Sequence, residues 1–463
     1  MLRKKAWGKY KLKFGYLWRS QFSLITPSMP QDIIADIYNA FDPFKPLPAG
    51  SDRYVECKEV RGDADVWRDL GKKIVRSQIS VCQLYAGHRG GGKSTELLRL
   101  QKELEDRDCF VVYFAADEGD IDTEDAQYTD ILLACTRHLL KALKNVDSKP
   151  IADWLSDRWH DLKDLALMEV KLDDLKLNVE QQITFFGKLT ASIRAVPSER
   201  QKIREKIDPA TVTLLKALNE FLEAAKSKLP NGKSKLVVIA DNLDRIVPIP
   251  KGDRTNHDEI FLDRSEQLRG LNCHIIYTVP ISLVFSSQGN DLTDSYGTVN
   301  VLPMIMVKDQ NGDTNADGME KLKDILRRRI PHILSDSDLS TKILEPEALE
   351  QLLVMSGGHV RNLMLLVQGA IDFVDDLPIT LVAVRRSIAK AREQMRLVPE
   401  FEEWKLLREV EKTKKLKNTD DYRQLLFNRS ILQYSAPNPE GDPQAWYDVH
   451  PILQDTPEFK DIG

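Results

Sequence analysis

Residues 80–100 read SVCQLYAGHRGGGKSTELLRL, and at their centre stands Gly87-His88-Arg89-Gly90-Gly91-Gly92-Lys93-Ser94. An apolar run leads into the glycines and leucines at helical spacing lead out, so the pattern is strand, loop, helix. Glycines let successive backbone N–H groups turn inward around a phosphate without side-chain clash. The start of the helix adds its positive end. Lys93 carries a compact charge toward the outer phosphates, and Ser94 offers a hydroxyl to Mg²⁺. Gly87 to Ser94, with Thr95, are the expected cradle of a nucleoside triphosphate.

Leu236-Val237-Val238-Ile239-Ala240-Asp241 supplies the second half of such a site. Apolar residues on both faces mark a buried central strand, ending in a carboxylate. At the carboxyl end of a parallel strand that group faces the phosphates and their metal. Ser94 and Asp241 are therefore the expected Mg²⁺ ligands. The next residue, Asn242, cannot take a proton from water. Asp244 follows as the candidate to polarise it, with a helix cap or an ion pair to Arg245 as the plain alternative. Thr278 ends another strand-like run, Cys273–Val279; this resembles additional-strand NTPases, where a polar residue there contacts the γ-phosphate or the water, with an ordinary strand-end threonine as the alternative. Arg361 opens a helix behind Gly357-Gly358 and suits a sensor of the γ-phosphate. Arg264, Arg269 and the run Arg327-Arg328-Arg329 are arginine-finger candidates among which the sequence does not choose. Asp313-x-Asn315-x-Asp317-Gly318 loosely matches a calcium loop, but Glu320 takes its apolar position. A polar surface loop is expected there.

Strands and helices alternate around these motifs. Ile79–Ala86, Cys109–Ala115, Leu236–Ala240, Cys273–Val279 and Val299–Val307 read as strands, and Lys93–Glu105 and Gln127–Leu143 as helices. That order predicts an α/β fold with a parallel sheet and crossover helices. Residues 150–227 are charged with a helical period. They read as an insertion at about 146–210, with Ala210–Leu229 crossing back to the sheet. Arg200, Arg204, Glu205 and Lys206 are expected on its solvated face. Met319–Ile330, Glu347–Met355, Val360–Val374 and Thr380–Met395 predict a helical lid. Arg423–Phe427 followed by Ser430–Tyr434 and Trp446–Val449 predicts a helix and a β-hairpin, as in a winged helix. The expected organisation is an arm and linker at 1–50, a core at 51–310, the lid at 311–400 and a winged-helix-like module at 401–463.

The 463 residues, 42% hydrophobic and 30% charged, are enough for several domains and a real core. A net charge of -5 argues against a generally basic coat for nucleic acid, while leaving room for a local patch. No apolar run approaches the ~20 residues of a membrane span. Cys57, Cys82, Cys109, Cys135 and Cys273 are scattered and lack zinc spacing. They read as small residues of a reducing, cytoplasmic compartment. The first twenty residues mix Arg3, Lys4, Lys5, Lys9, Lys11, Lys13 and Arg19 with five aromatic residues and no acid. They read as a tail, as an over-extended start before Met29, or as an arm for nucleic acid or an anionic membrane.

These parts in this order resemble the AAA+/STAND grade of P-loop NTPases, over about residues 54–455. Asp241-x-x-Asp244 looks like the NACHT-type Walker B strand, with Arg245 where NACHT proteins often carry another acid. Trp446-Tyr447-Asp448-Val449-His450-Pro451-Ile452 is similar to the winged-helix motif whose histidine touches the ADP phosphate in NB-ARC proteins. The resemblance thus implies a nucleotide contact for His450, with an ordinary hairpin histidine as the alternative. It implies ATP as the nucleotide, and Asn242 implies slow hydrolysis. It further implies a switch controlling assembly with itself or with an effector protein, in a prokaryotic defence or signalling system. STAND proteins carry an effector before the NTPase and a repeat sensor after it, so these are expected on separate polypeptides. The alternative is a DNA-acting AAA+ ATPase similar to origin-recognition or transposition-regulator ATPases. Lys412, Lys414, Lys415, Lys417, Arg423 and Arg429 would serve it, diluted by Asp420, Asp421, Glu440 and Asp448. A nucleotide-binding scaffold without turnover is the third class.

Overall fold

A computed structural model describes residues 33–462, apart from 164, 166–171, 253, 287, 331–338 and 439. The basic-aromatic stretch and Met29 lie outside the described residues. Five strands form one sheet: β1 Cys82–Gly87, β2 Cys109–Ala115, β3 Lys235–Asp241, β4 His274–Val279 and β5 Asn300–Leu302. Their order is β2-β3-β4-β1-β5, and every pairing is parallel. β4 lies between the strand that bears the glycine loop and the strand that ends in Asp241. All of β4 and all but the first residue of β3 are buried, which is why neither run alternates. The expected α/β P-loop architecture is what the chain adopts.

β5 is shorter than the predicted Val299–Val307. Pro303 has no N–H to extend the ladder, and the chain leaves the sheet there. Met304 then donates its N–H to the carbonyl of Gln433 at 2.9 Å, and Met306 donates to Val60 at 3.0 Å.

Helix α1 spans Ile33–Ala40, α2 Lys93–Glu105 and α3 Tyr128–Ala142. Within the insertion, α4 runs Val179–Ala195 and α5 Pro197–Ile207, after which α6, Thr211–Lys226, leads to β3. Leu133 of α3 and Phe185, Phe186 and Leu189 of α4 are fully buried in one cluster with the sheet. The insertion therefore completes the core. Its expected solvated face is half wrong. Glu205 and Lys206 are exposed, but Arg200 and Arg204 are only 3% and 8% exposed. Arg200 pairs with Asp122 and with Asp125 at 2.7 Å, and Arg204 with Asp125 at 3.0 Å and Asp130 at 2.6 Å. The i, i+4 spacing sets both guanidinium groups on one face, and that face covers the carboxylates of residues 120–130.

Beyond the sheet, α7 Ala316–Arg327, α8 Pro346–Met355, α9 Val360–Ile371 and α10 Leu381–Met395 surround a second cluster with Leu322, Leu352, Val367 and Val384. Ile37 and Phe41, in and just after α1, belong to that cluster. The calcium-like stretch is in large part a helix start. Asn315 caps α7 by accepting from Gly318 N at 2.8 Å. Helices α11 Glu403–Thr413 and α12 Asp420–Phe427 precede an antiparallel hairpin, β6 Ile431–Pro437 and β7 Pro443–Val449. All five cysteines are free thiols. Among the described residues, no helix is long and apolar enough to cross a membrane.

Candidate nucleotide-binding site

The glycine loop joins β1 to α2, at the carboxyl end of the sheet. Gly92 takes φ 111° as α2 opens, a conformation a β-carbon opposes. At Gly90, φ 87°, an added Cβ would meet His359 Cε1 and Arg361 Cβ at 2.7 Å each. The loop needs glycine there because the lid presses on it.

Lys93 is only 4% exposed. Its ammonium donates to the carbonyls of Gly87 at 2.8 Å and His88 at 3.1 Å, and pairs with Asp244 Oδ2 at 2.8 Å. All of its donors are thus engaged, and phosphate oxygens would replace these partners. Asp241, fully buried, accepts from Tyr113 Oη at 2.7 Å and from Asn242 N at 2.7 Å, with Ser94 beside it. Burial, and then Asp244, raise its pKa. A buried carboxylate beside Ser94 fits a divalent cation. Among the described residues no group of three or more His, Cys, Asp or Glu forms a metal cage, so the ion would share its ligands with phosphates.

Asn242 sits at φ 65°, a left-handed position that asparagine tolerates. Its Nδ2 donates to Asp117 Oδ1 at 2.7 Å, and Arg245 Nη1 donates to Asp117 Oδ2 at 2.5 Å. Thr278, fully buried, accepts from Leu243 N through Oγ1 at 3.0 Å and so holds the turn that carries Asp244.

Two histidines, His88 and His359, bind the loop to the rest of the chain, and a third, His450, joins the lid to the C-terminal module. His88 Nε2 accepts from Gln433 N of β6 at 2.9 Å. His359 Nδ1 accepts from Asn362 N at 3.1 Å, so its Nε2 carries the proton that it donates to the carbonyl of Arg89 at 2.7 Å. His450 Nδ1 accepts from Ile452 N, and its Nε2 lies 2.8 Å from the Asn362 amide. That nitrogen then bears the proton, so the amide, placed here with Nδ2 toward it, makes the bond once turned to present its oxygen. Burial is the first cause that holds all three neutral. It takes His88 and His450 down to about 3, and His359 well below its ordinary range.

A 530 Å³ cavity opens on the loop. Arg89, Lys93, Ser94, Thr95, Asp244 and Arg361 line it, with Asn242, Arg245 and Arg329; Asp241, Thr278 and His450 do not. Residues 42–47 form one wall. Leu47 N donates to Thr95 Oγ1 at 3.2 Å, and Arg361 Nε donates to the carbonyl of Pro43 at 3.1 Å. Of the arginine-finger candidates, only Arg329 lines this cavity. Arg264 lies over the Tyr128 ring and Arg327 pairs with Asp324. Arg328 donates to the carbonyls of Asp52 and Tyr54, and Arg269 is exposed. Sequence reasoning missed Asp117, Arg245, Asn362 and Arg61, whose Nη2 donates to the carbonyl of Gly91 at 2.8 Å. Their partners lie far along the chain; only Arg245, beside Asp244, carried a local signal.

No protein-family model and no curated protein matches the chain. Solved structures do resemble it. The ORC2 protein of Aeropyrum pernix, with ADPNP and ADP, gives a TM-score of 0.40 at 12% identity, over 92% of this chain and 95% of that one. Cdc6p from Pyrobaculum aerophilum gives 0.39 at 11% identity, over 92% and 97%. The ORC1 protein of Aeropyrum pernix in complex with DNA gives 0.35 at 13% identity, over 86% and 93%. Likeness at this level leaves the function to the site's own geometry.

Proposed function

We propose that the chain is an AAA+-type ATPase that binds ATP with Mg²⁺, hydrolyses it slowly and acts as a switch. The observation behind this reading is the set of histidine contacts on the loop. His88 meets the hairpin 345 positions away and His359 meets Arg89 from the lid 270 positions away. A phosphate that reshapes residues 87–94 thereby alters contacts to both modules.

Ser94 and Asp241 would hold Mg²⁺, which neutralises phosphate charge when bound. Lys93 and the loop N–H groups bind the β- and γ-phosphates. Once Lys93 turns to them, Asp244 is released to take the proton of the attacking water. Water oxygen bonds to the γ-phosphorus, the bond from that phosphorus to the bridging oxygen breaks, and ADP departs with that oxygen. With an amide at Asn242, turnover is slow. Thr278 positions the Asp244 turn, Arg361 senses the γ-phosphate from the lid, and His450 acts on the nucleotide through Asn362. The units proposed to move are the core at 51–310, the lid at 311–400 and the module at 401–463. The free thiols suit a cytoplasmic setting.

The partner is a second copy, another protein or DNA. The DNA-acting reading stands ahead of the prokaryotic defence setting, for which nothing beyond the sequence resemblance speaks. Lys412, Lys415 and Lys417 are exposed at the end of α11 and just beyond it, as phosphate contacts require. Against a broad basic face, Lys414 pairs with Asp448 at 2.7 Å and Lys417 with Glu409 at 2.6 Å.

The test is phosphate release together with particle size in ADP, ATP and a non-hydrolysable analogue, and a duplex-DNA titration at graded salt. The expected result is slow release, lost in Asp244→Ala, with an ATP-dependent change in size or DNA affinity. Wild-type hydrolysis in Asp244→Ala removes that residue's role, and indifference of both size and DNA binding to nucleotide removes the switch.

A further inference from the structure

We infer that Arg245 is a γ-phosphate ligand supplied by the same chain and held beforehand by Asp117. The inference rests on the ATPase reading and deepens it. Arg245 lines the cavity with Lys93, Ser94 and Arg361. Its bond to Asp117 Oδ2 at 2.5 Å is the one hydrogen bond its guanidinium makes among the described residues. Its side chain is 29% exposed, so donors remain on the cavity side. Asp117 is itself fixed, because its other oxygen accepts from Asn242. The guanidinium is thus aimed by a carboxylate that the residue next to Asp241 steadies.

The charge around it calls for an anion. Arg89 and Arg361 line the same cavity, and neither pairs with a carboxylate among the described residues. Burial first, and then Arg245, push Arg361 down to about 10. A terminal phosphate carries more charge than one carboxylate and accepts a guanidinium through two oxygens. It therefore draws Arg245 off Asp117 or bridges to it, and ADP offers nothing at that place. As the bridging oxygen leaves with ADP, the same guanidinium offsets the charge spreading over the transferred phosphoryl group. Arg264, Arg327 and Arg328 are engaged elsewhere in this chain. With Arg245 supplied from within the chain, turnover needs no arginine from a second copy.

The full chain, Arg245→Ala and Arg245→Lys are titrated with fluorescent ADP and with a fluorescent non-hydrolysable ATP analogue. Phosphate release is followed over a wide range of protein concentration. Arg245→Ala is expected to bind ADP as wild type does, which also reports its folding. It is expected to lose roughly tenfold or more of the preference for the ATP analogue and ~100-fold or more of turnover. Arg245→Lys recovers part of the binding and little of the rate. Wild-type activity per molecule stays constant with concentration. An unchanged preference and rate in Arg245→Ala overturns the inference. So does rescue of Arg245→Ala by an added Lys93→Ala copy, since the arginine would then come from a neighbour. A wild-type chain that binds neither nucleotide instead removes the ATPase reading itself.

Discussion

Arg200 and Arg204 on α5 are surrounded by carboxylates, whereas Arg89, Arg245 and Arg361 around the glycine loop have, among the described residues, Asp117 as paired carboxylate between them. Arg200 and Arg204 are buried and the loop arginines half-buried, and the cost of withdrawal from water is similar in kind. In the insertion the cost is met within the fold, so those arginines are structural. At the loop it is left open, and in the function proposed here a multiply charged anion closes it. The same residue type thus serves two ends, and the tally of its counter-ions separates them.

The contrast breaks first at α5. Arg204→Met leaves Asp130, fully buried, without its cation. A loss of about 3–5 kcal/mol in urea unfolding is expected, and Asp130→Asn in the same chain should recover much of it. A loss under ~1 kcal/mol would make the pairing ornamental.

Acid probes the loop side. The neutral state of His88 and His450 holds down to about 3, while an unfolded histidine protonates near 6.5. The unfolded chain therefore binds more protons below that value. Stability is full above pH ~6.5 and falls as pH drops toward 3, by up to ~1.4 kcal/mol per unit for each histidine. Melting curves at pH 6.5 and 5.5 should show it, with a smaller drop in His450→Gln. An equal drop in both proteins counts against the buried, neutral His450.

The smallest effect sharpens the comparison most. Arg361→Met removes a cation with no carboxylate partner among the described residues, so thermal stability should hold or rise slightly. Affinity for ATP should fall about tenfold, ~1.4 kcal/mol. A variant that melts earlier than wild type would class Arg361 with Arg204.

The loop, Asp241 and helix α2 were legible because each is a contiguous pattern with local physics behind it. The length of β5 was less so, since Val299–Val307 looks uniformly extended and the exit at Pro303 depends on backbone partners at Val60 and Gln433. Arg200 and Arg204 looked solvated because a charged helix face usually is. Asp122, Asp125 and Asp130 stand 74 to 79 residues earlier, and no local rule joins them. Asp117 and Arg245 are 128 residues apart for the same reason. The calcium-like run shows the converse, where a local match dissolves because Asn315 spends its side chain on a helix cap.

Gln433 donates its N–H to His88 and accepts the N–H of Met304. One residue of β6 is thereby pinned to the glycine loop on one count and to the chain leaving β5 on the other. With Gln433 as a fulcrum, a shift of the loop would pass along β6, which Tyr434 Oη also ties to the carbonyl of Gly357 at 2.8 Å. The strand continues to Pro437 before the turn, so the lever arm is roughly 15 Å at ~3.4 Å per residue. A tilt of about 10° at His88 would carry the hairpin tip by roughly 3 Å, enough to make or break a hydrogen bond with whatever stands beside it.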